Sequence, residues 1–244
     1  MSFIRYESSN CIATITIDRA DKRNALTASM LGDLSAAWAR FEAGEDRVAV
    51  LTGAGPSFSA GMDVSEPPVG AWMGMPNIGC PVSKPVIAAM SGACIGGAML
   101  FAMMVDLIIA DETTRFVYPE GRIGQTGGVM AGMVSRLPYK IAMELMLVGD
   151  QLDARRAFEV GLVNRVVPTG QHLQVALEYA QRIAQNAPMV MRTLKQLALA
   201  TLPKGPAEQL YPDLRMLERV RDSADAAEGL AAMQQKRSPA FTNK

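Results

Sequence analysis

Ser91-Gly92-Ala93-Cys94-Ile95-Gly96-Gly97-Ala98-Met99-Leu100 sets three glycines between two apolar runs. It follows an apolar, strand-like run, Pro85-Val86-Ile87-Ala88-Ala89-Met90, and leads into a helix-like one, Met99-Leu100-Phe101-Ala102-Met103-Met104. A strand that turns through paired glycines into a helix presents backbone N–H groups at the positive end of a helix dipole, where anionic oxygen is stabilised. Glycine also lets the main chain approach a ligand closely. The same small residues would serve a tight packing contact between helix and sheet, so taken alone the stretch leaves both uses open.

Working outward, the window 85–105 carries no charge and approaches the length of a membrane span. Its Gly-rich break, and Asp106 ahead of a second β-like run, Leu107-Ile108-Ile109-Ala110, read instead as strand, turn, helix and strand in a buried core. No secretion or transit signal is visible at the N-terminus. A chain of 244 residues fits one large domain, or one domain with a helical appendix. Its 24 Lys and Arg balance 24 Asp and Glu, which excludes a general attraction to nucleic acid or an anionic membrane but leaves room for a local basic spot. Cys11, Cys80 and Cys94 are far apart and odd in number, and there is one histidine, so neither a disulfide frame nor a metal site is expected, and a reducing cytoplasm suits the chain. That histidine, His172, follows Thr169-Gly170-Gln171 and reads as a solvated residue at a polar helix start rather than as a triad member.

In chain order, residues 11–18 alternate apolar and polar side chains and are rich in β-branched types, predicting a half-buried strand that pairs with residues 3–7 as a hairpin. Residues 19–26 form a charged loop, and Thr27 caps an amphipathic helix running to about residue 43. Residues 48–52 read as a short buried strand ended by Gly53-Ala54-Gly55-Pro56, so strand and helix alternate as in a sheet covered by helices. A second Gly loop follows, Ser57-Phe58-Ser59-Ala60-Gly61-Met62-Asp63-Val64. It offers either a further backbone donor, able to converge with the first on one oxygen, or an ordinary turn with Asp63 as a helix cap. The Pro-, Gly- and Met-rich residues 66–81 suit a loop over an apolar pocket or a plain surface excursion.

A series of motifs in order carries a resemblance over nearly the whole chain. They are Lys22-Arg23-Asn24-Ala25-Leu26, Phe58-Ser59-Ala60-Gly61-Met62-Asp63, Lys84-Pro85-Val86-Ile87-Ala88 leading into residues 92–97, and Met103-Met104-Val105-Asp106 continuing through residue 111. Further on come Phe116-Val117-Tyr118-Pro119-Glu120, Ala157-Phe158-Glu159-Val160-Gly161-Leu162 continuing through Pro168, and Lys236-Arg237-Ser238-Pro239. The chain resembles a crotonase, a member of the enoyl-CoA hydratase/isomerase superfamily. That resemblance implies an α/β fold, a spiral of ββα units over residues 1–170 with the acyl-CoA site, followed by a C-terminal helical trimerisation region over residues 171–244. It implies an acyl-CoA thioester substrate, with coenzyme A part of that substrate and no separate cofactor, and a homotrimer or dimer of trimers.

By resemblance, the backbone N–H groups of Met62 and Gly97 form an oxyanion hole, flanked by Ala60, Gly61, Asp63 and Gly96. Two preorganised donors stabilise the charge that deprotonation next to a thioester builds on its oxygen. The loop of Lys22, Arg23 and Ala25 would line the CoA channel, and Lys236 would reach CoA bound mainly by another subunit. Without the resemblance, both basic spots read as solvated faces.

Departures from the family pattern bear on the reaction. The position of a hydratase's first glutamate, three residues after Gly97, is Leu100, whereas the Pro-Glu glutamate is kept as Glu120. Losing one carboxylate of such a pair costs roughly two to four orders of magnitude in hydration rate. Between residues 67 and 105, and again between 121 and 143, there is no Asp or Glu to replace it, and the position where family dehalogenases and ring-opening isomerases carry aspartate is Gly128. Asp106, Asp111 and Glu112 match structural positions. A lone base beside an oxyanion hole suffices to move a double bond, and Leu followed by Glu is similar to the arrangement in Δ3,Δ2-enoyl-CoA isomerases. Isomerisation with Glu120 as single acid/base therefore leads. The alternatives are a hydratase or related lyase recruiting another group, such as Tyr118 or Gln125 with a water, and a non-catalytic acyl-CoA binder.

Toward the C-terminus, residues 124–130 open a helix-like run, residues 139–148 and 154–160 read as helices, and residues 162–167 as a strand. Three helices are predicted beyond, over residues 171–185, 189–202 and 207–234.

Overall fold

The structure, a computed structural model, describes residues 2–66, 68 and 70–243. The chain opens with β1 (Ile4–Ser9), β2 (Ile12–Ile17), α1 (Ala28–Ala43) and β3 (Val48–Gly53). Next come β4 (Val86–Met90), β5 (Ala93–Ile95), α2 (Met99–Met104), β6 (Leu107–Asp111), β7 (Arg115–Val117), α3 (Glu120–Ile123) and α4 (Tyr139–Met143). It closes with β8 (Leu152–Asp153), α5 (Ala154–Glu159), β9 (Arg165–Val167), α6 (His172–Ala184), α7 (Pro188–Thr201), α8 (Pro206–Arg221) and α9 (Ala224–Gln235).

The expected hairpin is β1 against β2, with Ser9 opposite Ile12. Its two turn residues, Asn10 and Cys11, have φ of 53° and 61°, the left-handed pair that matches the twist of a two-residue hairpin. The large sheet runs β1-β2-β3-β4-β6-β9, parallel from β2 onward, and a small one runs β5-β7-β8. Successive units contribute one strand to each sheet and then a helix: β4, β5 and α2, followed by β6, β7 and α3. The segment after β3 repeats the pattern, because Ser59 forms a parallel bridge to Cys94 in β5. This is the predicted α/β spiral. Gly92 sits where the chain crosses from β4 to β5 with φ of +55°, and any side chain there would run into the Pro56 carbonyl.

Period-two alternation divides each large-sheet strand between two cores. Ala13, Ile15, Ala49, Leu51, Ala88 and Met90 face the core shared with α1 and α2. Ile12, Val48, Val50, Ile87, Ala89 and Ile109 face Val175, Ala176, Ala180 and Ala184 of α6. That second layer corrects the reading of β2 as half-buried. All but Thr14 of its residues are buried, because α6, which opens the C-terminal region, covers the face expected to meet solvent.

Helix α1 begins as expected, with the Thr27 hydroxyl accepting the Met30 N–H at 3.4 Å. Loop 66–81 turns through a 3-10 helix, Ala71–Gly74, and packs on α1, where the Trp38 indole N–H donates to the Gly74 carbonyl at 3.0 Å. Asp106 has the expected structural role, accepting the Val86 N–H and pairing with Lys195 at 2.8 Å. The window 85–105 is β4, β5 and the six-residue α2, and no helix among the described residues is long and apolar enough to cross a membrane.

The helix predictions over residues 139–148 and 207–234 need correction. Residues 139–148 are α4 continued by a π-helical turn, Glu144–Val148, and residues 207–234 are two helices, not one. The break falls after Asp222, where the Ser223 hydroxyl accepts the Ala226 N–H at 3.0 Å and starts α9 afresh. On α7 and α8, Leu194, Leu197, Met216, Leu217 and Val220 are exposed.

Asn24 ties the charged loop to the end of β3. Its side chain accepts from the Arg19 N–H (2.9 Å) and donates to the Ala54 and Ser57 carbonyls (2.9 and 2.7 Å), fully buried and at φ of 57°. Asn24→Ala strips three backbone groups of their side-chain partner, the Ser57 carbonyl in a buried setting, and leaves alanine in a left-handed conformation, so it is expected to cost about 2–4 kcal/mol in urea unfolding. A loss below about 0.5 kcal/mol would show that the loop does not depend on this side chain.

Candidate active site

The site is built around residues 59–63, held on both sides by main-chain bonds. On one side Ser59 N–H donates to Ala93 O (2.9 Å) and Ile95 N–H to Ser59 O (3.1 Å). On the other, Ala60 N–H donates to Arg23 O (2.9 Å), Leu26 N–H to Gly61 O (2.8 Å) and Asp63 N–H to Leu26 O (2.9 Å). In this parallel ladder Leu26 is bonded through residues 61 and 63, so the N–H of Met62 points away from it. Gly61, with φ of +94°, brings the segment against the β5 exit: a Cβ there would stand 2.5 Å from Ile95 O and 3.4 Å from Gly97 N. Gly97 lies in the first turn of a short 3-10 helix, Gly96–Ala98, ahead of the first intrahelical bond. Among the described residues, no chain acceptor is paired with the N–H of Met62 or of Gly97. Met62 arches over Gly97, filling the space that a side chain at residue 97 would occupy.

These residues line a cavity of about 940 Å³ together with Ala60, Asp63, Gly96, Leu100, Tyr118 and Glu120. Leu100, in the first turn of α2, is buried and contributes an apolar wall. Glu120 opens α3 after Tyr118 and Pro119, and its Oε1 lies 3.1 Å from where a Cβ on Gly96 would be. The other oxygen, Oε2, is buried with no hydrogen-bond partner. Burial pushes the Glu120 carboxyl up to about 7, its own backbone N–H pulling weakly the other way. A carboxylic acid balanced near neutrality beside two free main-chain donors can take and return a proton while negative charge gathers on an adjacent oxygen.

Asp63, the other carboxylate lining the cavity, is differently placed. The Ser65 hydroxyl and then the Arg19 guanidinium, 2.6 Å away, hold its carboxyl well below the usual range, so it stays ionised and paired. It caps no helix: its Oδ1 closes a turn onto Ser65. Lys22 and Arg23 are exposed and Ala25 half-buried on the outer flank of residues 59–63, outside the cavity lining. Lys236 is exposed at the C-terminal end of α9, also outside that lining. The structure thus gathers Ala60, Gly61, Met62, Asp63, Gly96, Gly97, Leu100 and Glu120 around one space.

His172 departs from expectation. It is half-buried at the start of α6, its Nδ1 3.2 Å from Asp111 Oδ2, with burial lowering its pKa and Asp111 opposing that shift. The cavity lies elsewhere. Sequence reasoning did not find the loop 123–130 as a wall: Ile123, Thr126, Gly127, Val129 and Met130 line the cavity, and the helix expected there is a 3-10 turn, Val129–Ser135. The glycines at 124, 127 and 128 were the available signal. Of loop 66–81, Pro68 reaches the cavity.

A family model described as enoyl-CoA hydratase/isomerase matches residues 7–70 and 79–244. The chain is similar to the (E)-benzylidenesuccinyl-CoA hydratase of Thauera aromatica, 34% identical over 98% of each chain. It is also similar to the carnitinyl-CoA dehydratase of Proteus mirabilis, 32% identical over 96% of this chain and 95% of the other. Among solved structures, a probable enoyl-CoA hydratase/isomerase from Mycobacterium abscessus superposes with a TM-score of 0.77 at 33% identity, covering all of both chains.

The raised pKa of Glu120 has a consequence for stability. The folded protein holds this proton more tightly than the unfolded chain, so the contribution is full below the ordinary value of 4.5 and is lost as pH rises to about 7. Glu120→Gln, permanently neutral, is expected to match the wild type in urea unfolding at pH 4.5 and to exceed it at pH 8 by roughly 1–2 kcal/mol, after allowance for solvent screening in an open cavity. Equal stability at both pH values would contradict the desolvated placement.

Proposed function

The chain belongs to the enoyl-CoA hydratase/isomerase family and is an enzyme of the crotonase superfamily, and from that premise we propose that it isomerises acyl-CoA thioesters, shifting a Δ3 double bond to Δ2 with Glu120 as its single acid/base. The observation that carries this reading is the difference between the two carboxyls at the cavity. Glu120 has an unpartnered oxygen and a pKa of about 7, whereas Asp63 is locked to Arg19 and Ser65.

Ionised Glu120 removes a proton from Cα of a 3-enoyl thioester. The electron pair delocalises into the thioester, and the oxygen of the resulting dienolate accepts hydrogen bonds from the N–H groups of Met62 and Gly97. Each such donor is worth on the order of 10²–10³ in rate. The carboxylic acid then returns the proton at Cγ, the double bond settles between Cα and Cβ, and Glu120 is ionised again. Water has no part in this balance, and Leu100 presents it with no acceptor at the place where a second carboxylate would hold it. A pKa near the working pH lets one carboxyl serve both transfers.

Coenzyme A enters as part of the substrate, with Lys22 and Arg23 toward its phosphates and Ala25 beside its pantetheine arm. Self-association as a trimer or dimer of trimers is supported by the exposed apolar side chains of α7 and α8, and it would let Lys236 reach a neighbour's CoA.

Hydration is the second reading, favoured by the names of the relatives, a hydratase and a dehydratase. It would require a water held between Glu120 and the Tyr118 hydroxyl, since both line the cavity.

Offering 3-enoyl- and 2-enoyl-CoA of several chain lengths and identifying products separates the two. The expected result is conversion of 3-enoyl to 2-enoyl thioester, rising with pH to a plateau above about 7. Glu120→Gln should lower kcat by about 10²–10⁴ while acyl-CoA affinity stays within a few-fold. A 3-hydroxyacyl product without isomerisation, or undiminished turnover by Glu120→Gln, contradicts the proposal.

A further inference from the structure

Resting on the reading of the cavity as an acyl-CoA site, we propose that Tyr211 of α8 is a positioning residue. It fixes the loop 124–128 as the end wall of the acyl chamber and so limits the size of the acyl group admitted. Gln125, Thr126 and Gly127 line the main cavity, and the same loop borders a smaller space of about 350 Å³ beyond Glu120. The loop has little packing of its own. Residues 121–127 are exposed, Gly124 and Gly128 take left-handed φ of +68° and +74°, and a Cβ at Gly124 or Gly127 would meet nothing within 4 Å.

What holds the loop is therefore hydrogen bonding. Five of its bonds are local: the Gly124 and Gln125 N–H groups to Glu120 O, the second at 3.2 Å, Gly128 N–H to the Thr126 hydroxyl at 3.1 Å, Ala131 N–H to Gly128 O at 3.2 Å, and a long 3.4 Å contact between the Tyr118 and Thr126 hydroxyls. One more comes from a distant part of the chain, the Tyr211 hydroxyl donating to Gly127 O at 2.8 Å. A tether is only as firm as its anchor, and Tyr211 is anchored twice. Its ring stacks on Trp72 with centroids 5.1 Å apart and planes 7° from parallel. Its helix is fixed by Glu208, buried and paired in bidentate fashion with Arg136 (3.1 and 2.9 Å). Gly132 leaves the room that Glu208 needs, since any side chain at 132 would collide with its carboxyl. Helix α8 and loop 66–81 thus brace the wall of a cavity whose reacting groups lie on other elements. Tyr211 touches none of those groups and acts through Gly127.

Tyr211→Phe keeps the ring on Trp72 and removes the hydroxyl, which isolates the tether. In the apo protein, amide hydrogen exchange over residues 125–128 should accelerate roughly two- to tenfold, the range of one neutral hydrogen bond, with the thermal midpoint nearly unchanged. Calorimetric titration with butyryl-CoA and dodecanoyl-CoA, which are unreactive here, should show the affinity ratio shifting toward the longer chain by a similar factor. A purely structural role would lower both affinities together and leave the ratio alone, which would overturn the proposal, as would unchanged exchange over residues 125–128. Binding of neither thioester by the wild type would overturn the acyl-CoA reading and with it the size selection, while the exchange measurement would still report separately on the tether.

Discussion

The site is assembled around a position, residue 61, where no side chain can stand. Segment 59–63 lies between residues 23–26 and 93–95 only because Gly61 can pass the Ile95 carbonyl at a distance that no Cβ tolerates. That passage sets Met62 and Gly97 side by side, although they lie 35 positions apart in sequence and belong to different units of the spiral. Main-chain donors held this way are stiff. Their direction is fixed by ladders on either side, so stabilising a developing charge requires little reorganisation.

Glu120 is the counterpart of that rigidity. Leaving a carboxyl oxygen buried and unpartnered is unfavourable for folding, and the chain carries that cost at one position of the cavity while satisfying Asp63 fully with Arg19 and Ser65. The two carboxyls are thereby driven in opposite directions, one toward neutrality and one toward permanent charge. Leu100 extends the same logic by giving the cavity a buried apolar wall. The walls that complete the cavity come from loops braced by the C-terminal helices, so binding and chemistry draw on different parts of the chain.

Much of this was legible in the sequence, for identifiable reasons. The β-branched runs at residues 11–18 and 48–52 and the apolar run before Ser91 are local signals, and each became a strand of the large sheet. The paired glycines at 96 and 97 and the lone one at 61 signalled close main-chain approach, and only the family resemblance turned that signal into a pair of backbone donors. The second face of β2 was not legible, since its burial depends on α6, more than 150 residues away in sequence. The break after Asp222 was hidden by helix formers on both sides of a single capping serine. His172 read as solvated because nothing near it in sequence announces Asp111, and the Tyr211 tether was invisible because it joins two segments with no shared periodicity.

In the proposed mechanism one carboxyl carries out both proton transfers, and isotope tracing can follow that proton from carbon to carbon. With a 3-enoyl-CoA deuterated at Cα and turned over in ordinary water, a half-buried Glu120 acting alone should deliver part of the label to Cγ of the same molecule, above the level expected from solvent. Label lost wholly to water, with solvent oxygen appearing at Cβ of the product, would contradict the account and point to addition of water.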